Sequence, residues 1–212
     1  MVYELCFNFN HNSCKVLYQM SKYIYEDDLK IKDALELYFS RYHFPNGGYD
    51  LKWFKIKIGP VYLSFPNTKD RIAAVKLHDI HHVITGYEAN IKGEAEIGAW
   101  EIGSGCGKYY VAWILNGMSF LYGIFIYPKA IYKSFLRARL VHTNLYHNTI
   151  YSDELLNKTV GELKYKIGSE NYIHNKLIDY FIFIIYCLII LSLSAGFLYL
   201  LCCTLWKIIK IF

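Results

Sequence analysis

The chain reads as a mainly α protein: a helical bundle domain carrying a short β-hairpin near residues 53–65, followed by a C-terminal transmembrane helix. Three observations predict this. Well-capped helical segments, separated by Gly, Pro and Asn turns, run through the middle of the chain. Residues 53–65 alternate apolar and polar around Gly59-Pro60, the pattern of two short paired strands. Residues 180–206, 27 in number, carry no charged side chain. At ~1.5 Å per residue a helix of that length reaches roughly 40 Å, more than a hydrocarbon core of about 30 Å.

In chain order, residues 14–41 hold two helical stretches, with Tyr18, Tyr23 and Tyr25 in the first and Leu35, Leu37 and Tyr38 in the second. Pro45-Asn46-Gly47-Gly48 is a turn. After the hairpin, Thr68 is placed to cap a helix with Asp70 in its first turn, running through Arg71, Val75, His78 and His82 to Thr85. Gly86 is its natural stop. The next helix is expected to start near Lys92-Gly93, with Glu94 in its first turn. Residues 109–127 are 19 uncharged positions, long enough to be weighed as a span. However, Asn116-Gly117, Ser119 and Gly123 interrupt them, Pro128 ends them, and an Asn at mid-depth would need a partner. A buried or lipid-facing helix of the main domain is favoured, with a second span as the alternative. Lys129, Lys133 and Arg137 then recur every four residues, with Ile131, Phe135 and Leu136 elsewhere on the helix. Such a basic amphipathic stretch suits anionic lipid, or simply a solvated face. Ser152 is expected to cap one helix through Leu155, Leu156, Thr159, Val160, Leu163 and Ile167, ending at Gly168. Tyr180 and Trp206 suit the two membrane interfaces, and Lys207 and Lys210 can extend into headgroups.

Composition fits a membrane protein better than a soluble or disordered one. Hydrophobic residues make up 54% of the chain and aromatics 18%. The net charge of +5, from 23 basic and 18 acidic residues, is a mild excess. It suits a membrane surface and lacks the dense basic, aromatic-interleaved patch of a nucleic-acid binder. The six cysteines show no C-x-x-C and no disulfide framework, which points to a reducing compartment. No signal or transit segment is legible at the start, so the expectation is a single-pass C-terminal anchor with the main domain on the cytoplasmic side.

The most specific chemistry lies in His78-Asp79-Ile80-His81-His82 and, eleven residues beyond His82, Glu94. His78 and His82 are four apart, so on a helix both imidazoles project from one face. With a carboxylate returned by the next helix they form a divalent-metal site suited to zinc. Asp79 is a fourth ligand or a group fixing a His tautomer. His81 points away from the pair and reads as a bystander. Glu101, seven residues beyond Glu94, reads either as an outer partner or, preferably, as a solvated carboxylate. Glu96 is assigned nothing, and His11, His43, His142, His147 and His174 lack metal spacing. The domain division is therefore 1–172 for a helical metal-binding domain and 173–212 for a membrane anchor.

At these residues the chain resembles the ubiquinone (coenzyme Q) biosynthesis family whose eukaryotic member is the fourth-numbered Coq protein. His78, Asp79, His82 and Glu94 fill its His-Asp-x-x-His, eleven residues, Glu signature, and Gly93 fits as well. Asn144-Leu145-Tyr146 and the run Asp153-Glu154-Leu155-Leu156 look like that family's C-terminal part. The resemblance covers roughly residues 65–168. The chain departs from the family's pattern in its hairpin-like segment and its long apolar tail. The resemblance implies a zinc-type site held by His78, Asp79, His82 and Glu94, and a hydrophobic groove for prenylated ligands, lined here by residues 109–127. It implies C1 decarboxylation of a polyprenylated hydroxybenzoate by a metal-dependent lyase, or a non-catalytic lipid-binding scaffold for other quinone-biosynthesis enzymes. A third reading, a His-Asp phosphohydrolase with His43 and Asp153 as the further ligands, leaves Glu94 unexplained.

Overall fold

The computed structural model describes residues 25–58, 61–141, 143–168 and 175–210. The first expected helical stretch, except for Tyr25, lies outside them. The described chain is mainly helical: α1 (Ile31–Tyr42), a 3-10 turn (Pro45–Gly48), β1 (Trp53–Ile58), β2 (Val61–Pro66), α2 (Lys69–Thr85), α3 (Ile91–Ser104), α4 (Tyr110–Ile126), α5 (Pro128–Arg139), α6 (Asp153–Asn157), α7 (Val160–Ile167) and α8 (Lys176–Ile209). β1 and β2 pair antiparallel, with Trp53 opposite Pro66 and Ile58 opposite Val61.

The core forms around α3. Its sequence is apolar on nearly every side, and such a helix is stable only when surrounded. Ala95, Ile97, Ala99, Trp100, Glu101 and Ile102 are all buried, with α4 and α5 packed along it. Trp100, Phe120, Phe135, Leu77, Ile80 and Ile131 are among the largest wholly enclosed side chains. α2 lies between this layer and α1, where Ile31, Ala34, Leu35 and Tyr38 make the buried stripe.

The helix expected from Ser152 to Gly168 is two helices. Ser152 does cap α6, but the chain is extended at Lys158 and a new helix starts at Val160. The cause is local. Thr159 accepts from the Glu162 N–H while the Glu162 carboxylate accepts from the Thr159 N–H, a reciprocal cap that begins a helix rather than continuing one. The extended residue also binds α1, whose Ile31 N–H donates to the Lys158 carbonyl at 2.9 Å.

α8 has two halves. In the first, Phe183 packs among Phe120, Tyr132 and Phe135, and Tyr186 lies against Phe135. Arg139 donates to the buried Asp179 at 3.2 Å, fastening α5 to the start of α8. Beyond Ile190 the helix is largely exposed and apolar. Leu177–Lys207 is, among the described residues, the helix long and apolar enough to cross a membrane, and α4 is shorter.

Candidate metal centre

α2 carries two of the candidate ligands. Thr68 accepts from the Arg71 N–H and starts the helix, and Gly86, left-handed at φ 75°, stops it. α3 begins at Ile91, with the Asn90 side chain accepting from the Gly93 N–H, slightly earlier than expected. Glu94 still falls in its first turn. Gly93 lets the connection double back. A Cβ there would lie 1.9 Å from the Glu88 carbonyl oxygen, so any larger residue would push the loop off the helix.

The result is a triangle of ligand residues whose donor atoms all lie within 4.8 Å of one another. His78 Nε2 lies 3.1 Å from His82 Nε2 and 3.4 Å from a Glu94 oxygen; the other Glu94 oxygen lies 3.3 Å from His82 Nε2. A tetrahedral ion with bonds of about 2.0–2.1 Å holds its ligand atoms roughly 3.3–3.4 Å apart. The spacing is close to that of such an ion, and these three residues form the one group of potential metal ligands among the described residues.

Hydrogen bonds on the far side of each ring assign the tautomers. His82 Nδ1 lies 2.9 Å from the Tyr87 carbonyl, which only accepts, so Nδ1 carries the proton and the Nε2 lone pair faces the triangle. His78 Nδ1 lies 3.0 Å from the Glu101 carboxylate and donates to it, which turns Nε2 toward the triangle. Two ring nitrogens and a carboxylate this close need positive charge among them, either a proton shared at His78 Nε2 or a metal ion that displaces it. The Tyr38 ring stacks on His82 at 5.4 Å and fixes its plane.

Glu101 is the residue that sequence reasoning placed wrongly. It is wholly buried, not solvated. One oxygen accepts from His78 Nδ1 and, at 2.6 Å, from His81 Nδ1; the other accepts from Asn116 Nδ2 at 2.5 Å and the Tyr146 hydroxyl at 3.1 Å. His81 is correspondingly no bystander. The Leu145 N–H donates to its Nε2 at 3.0 Å, which leaves its proton on Nδ1 for Glu101. Asn116, the polar residue in an apolar helix that needed a partner, finds it here. A charged Glu and an Asn, each embedded in apolar helical sequence, were the available signal that they meet.

Asp79 falls outside the ligand triangle. It is buried, and its carboxylate takes the Tyr49 hydroxyl at 2.5 Å. Asn67 holds that tyrosine's segment by donating to the carbonyls of Gly48, Tyr49 and Leu51. Glu96 pairs with Lys92 on the surface. His43 closes the end of α1 in a left-handed conformation, and His147 lies against the Ser104 and Gly105 carbonyls. His11, His142 and His174 lie outside the described residues.

Charge in the cluster follows from these contacts. Burial alone would lower the His78 pKa, but Glu101 and Glu94 outweigh it and hold the imidazole well above its ordinary value. Burial alone would raise both Glu94 and Glu101, but the facing histidines hold each far below the usual carboxylate range. Burial pushes Asp79 up to about 6, against the opposing pull of His78 and the Tyr49 hydroxyl. Burial lowers His81 despite Glu101, consistent with an Nε2 that accepts from a backbone N–H. Two buried or half-buried carboxylates thus converge on the His78–His82 pair, an environment that favours bound positive charge.

Comparison with protein-family models, curated proteins and solved structures finds no significant match for this chain.

Proposed function

We propose that the chain is a membrane-anchored, zinc-type metalloprotein of ubiquinone biosynthesis that acts on a polyprenylated hydroxybenzoate and removes its C1 carboxylate. The observation that carries this is the triangle of His78 Nε2, His82 Nε2 and the Glu94 carboxylate. Two histidines and a glutamate are a ligand set of catalytic zinc sites, which keep a fourth position for water or substrate. Asp79, occupied by the Tyr49 hydroxyl, leaves that position free. The Glu94 side chain is 44% exposed, so the approach is from its side.

The protein's own residues do the positioning. Glu101 and the Tyr87 carbonyl keep both Nε2 atoms directed at one point; the buried network behind Glu101 holds the His78 ring, and Tyr38 stacks against His82. A bound divalent ion would supply Lewis acidity, stabilising charge on the substrate's carboxylate or phenolic oxygen as carbon dioxide leaves. α8 anchors the domain on the cytoplasmic face, and α4 offers its apolar surface to the prenyl tail, each methylene withdrawn from water contributing ~0.8 kcal/mol.

Metal content of the purified full-length protein, beside His78→Ala and Glu94→Ala, tests the site. Near-stoichiometric zinc in the wild type and its loss in both variants is expected; equal content in all three removes the metal reading. Carbon dioxide release from a prenylated hydroxybenzoate tests the reaction. Tight zinc without turnover assigns the chain instead to scaffolding other quinone-biosynthesis enzymes, with the ion tying α2 to α3.

A further inference from the structure

We infer that α4 lies in the lipid alongside α8, so that the main domain is partly immersed in the bilayer rather than suspended above it on a stalk. The inference rests on the reading of α8 as a membrane span, and not on the metal or its chemistry.

The first support is a length argument. Ile182, Phe183, Tyr186, Cys187 and Ile190 form one stripe of α8 that packs on the core. The stretch free of the domain is therefore residues 191–206, uncharged and ending at Trp206. At ~1.5 Å per residue its 16 positions reach roughly 24 Å, whereas a hydrocarbon core of about 30 Å calls for about 20. The missing turn must come from the packed part of α8. Whatever packs there, namely α4 and α5, is carried to the same depth.

The second support is what α4 presents outward. Tyr110, Ile114, Met118, Tyr122 and Phe125 fall within one face of the helix and are all exposed, Ile114 at 62% and Phe125 at 69%. The inward face, Ala112, Asn116, Phe120 and Gly123, is already buried, so the outward stripe is not a misplaced core. Residues 109–127 contain no charged side chain, while Lys108 and Lys129 stand at the two ends. That arrangement lets α4 lie along the boundary of headgroups and acyl chains with its ends reaching phosphate. α8, which packs against α4, carries surface of the same kind: on its first half, Phe181, Ile185, Leu188 and Ile189 are exposed and apolar. Contiguous apolar surface of this extent on a soluble domain calls for an occupant. Here the neighbouring helix supplies one, the bilayer.

The test uses the full-length protein in phosphatidylcholine–phosphatidylglycerol vesicles, with a genetically encoded dansyl residue at position 114 or 118. Leu198, in the free half of α8, and Leu37, on α1, are replaced in the same way as references. Vesicles with brominated acyl chains are compared with unbrominated ones, and aqueous iodide reports exposure to water. Quenching by bromolipid at positions 114 and 118 is expected to approach that at 198 and to exceed that at 37 by at least about threefold. Quenching at 198 with none at 114 or 118 overturns the immersion of α4 and leaves the anchor standing. Protection from iodide without lipid quenching also overturns it, because a protein surface, such as a second copy, then covers the stripe. Absence of quenching at 198 removes the anchor and the immersion together.

Discussion

Replacing Glu101 with glutamine should weaken metal binding without unfolding the domain, although Glu101 lies beyond the ligand triangle. All four of its lone-pair directions take a donor: His78 and His81 on one oxygen, Asn116 and Tyr146 on the other. Glutamine keeps the shape. Its carbonyl oxygen can still accept from the two imidazoles, while the Asn116 amide can turn over and the Tyr146 hydroxyl can rotate to accept from the new NH2. The fold should therefore lose only about 1 kcal/mol, the scale of one exchanged hydrogen bond. The negative charge behind His78 Nδ1 is removed, and with it the extra basicity of Nε2. Loss of such a partner lowers metal affinity about 10- to 100-fold, equivalent to roughly 1.4–2.7 kcal/mol. Leucine would be a poor choice, because it strands four buried donors at about 1–3 kcal/mol each and confuses folding with binding. Competition for zinc against a chromophoric chelator in detergent measures the affinity, and thermal melting followed by circular dichroism measures the fold. Glu101→Gln binding zinc within about twofold of wild type, with its melting unchanged, would refute the role assigned to the buried carboxylate.

Gly93→Ala places a methyl group against the Glu88 carbonyl; overpacking of this kind costs about 1–3 kcal/mol and should displace Glu94, so zinc affinity and melting temperature fall together. Arg139→Ala removes one ionic partner of the buried Asp179 and should lower stability by about 1–3 kcal/mol, read as an earlier denaturation midpoint in micelles. The pH dependence has opposite signs with and without metal. His78 has a raised folded-state pKa, so its contribution to the metal-free fold is complete below the unfolded value of about 6.5 and is lost as pH climbs through the folded value. Zinc competes with that same proton, so the rise in melting temperature on adding zinc should grow from mildly acid to mildly alkaline buffer. A zinc-induced shift that is flat across that range would contradict the assignment of His78 as a ligand.

The ligand triangle was legible because its determinants are local. Four-residue spacing puts His78 and His82 on one face, and Thr68 and Gly86 fix where their helix starts and stops; the Asn90 cap of the next helix emerged only in the structure. Glu101 and His81 were not legible in the same way. Their burial depends on α4 and on the Leu145-Tyr146 segment, whose positions no pattern within α2 or α3 reveals. The better clue was one of polarity: a carboxylate flanked by Trp100 and Ile102, and an amide in the middle of α4, are each too costly to bury alone. The break between α6 and α7 had a signal that apolar spacing masked. Thr159-Val160-Gly161-Glu162 is a capping-box sequence, and the apolar residues on either side of it still fall at helical intervals.

α8 docks on α4 and α5 through its first half, with Asp179 already enclosed at its opening turn. The tether therefore has no slack, and the domain cannot swing or tilt freely about its attachment. With α8 spanning the bilayer as proposed, the altitude of the triangle above the membrane mid-plane becomes a fixed dimension, set by how α8 seats itself. Changing acyl chain length should then raise or sink the whole domain by ångströms, so that host bilayer thickness, a property of the lipid, would tune which groups the site can reach.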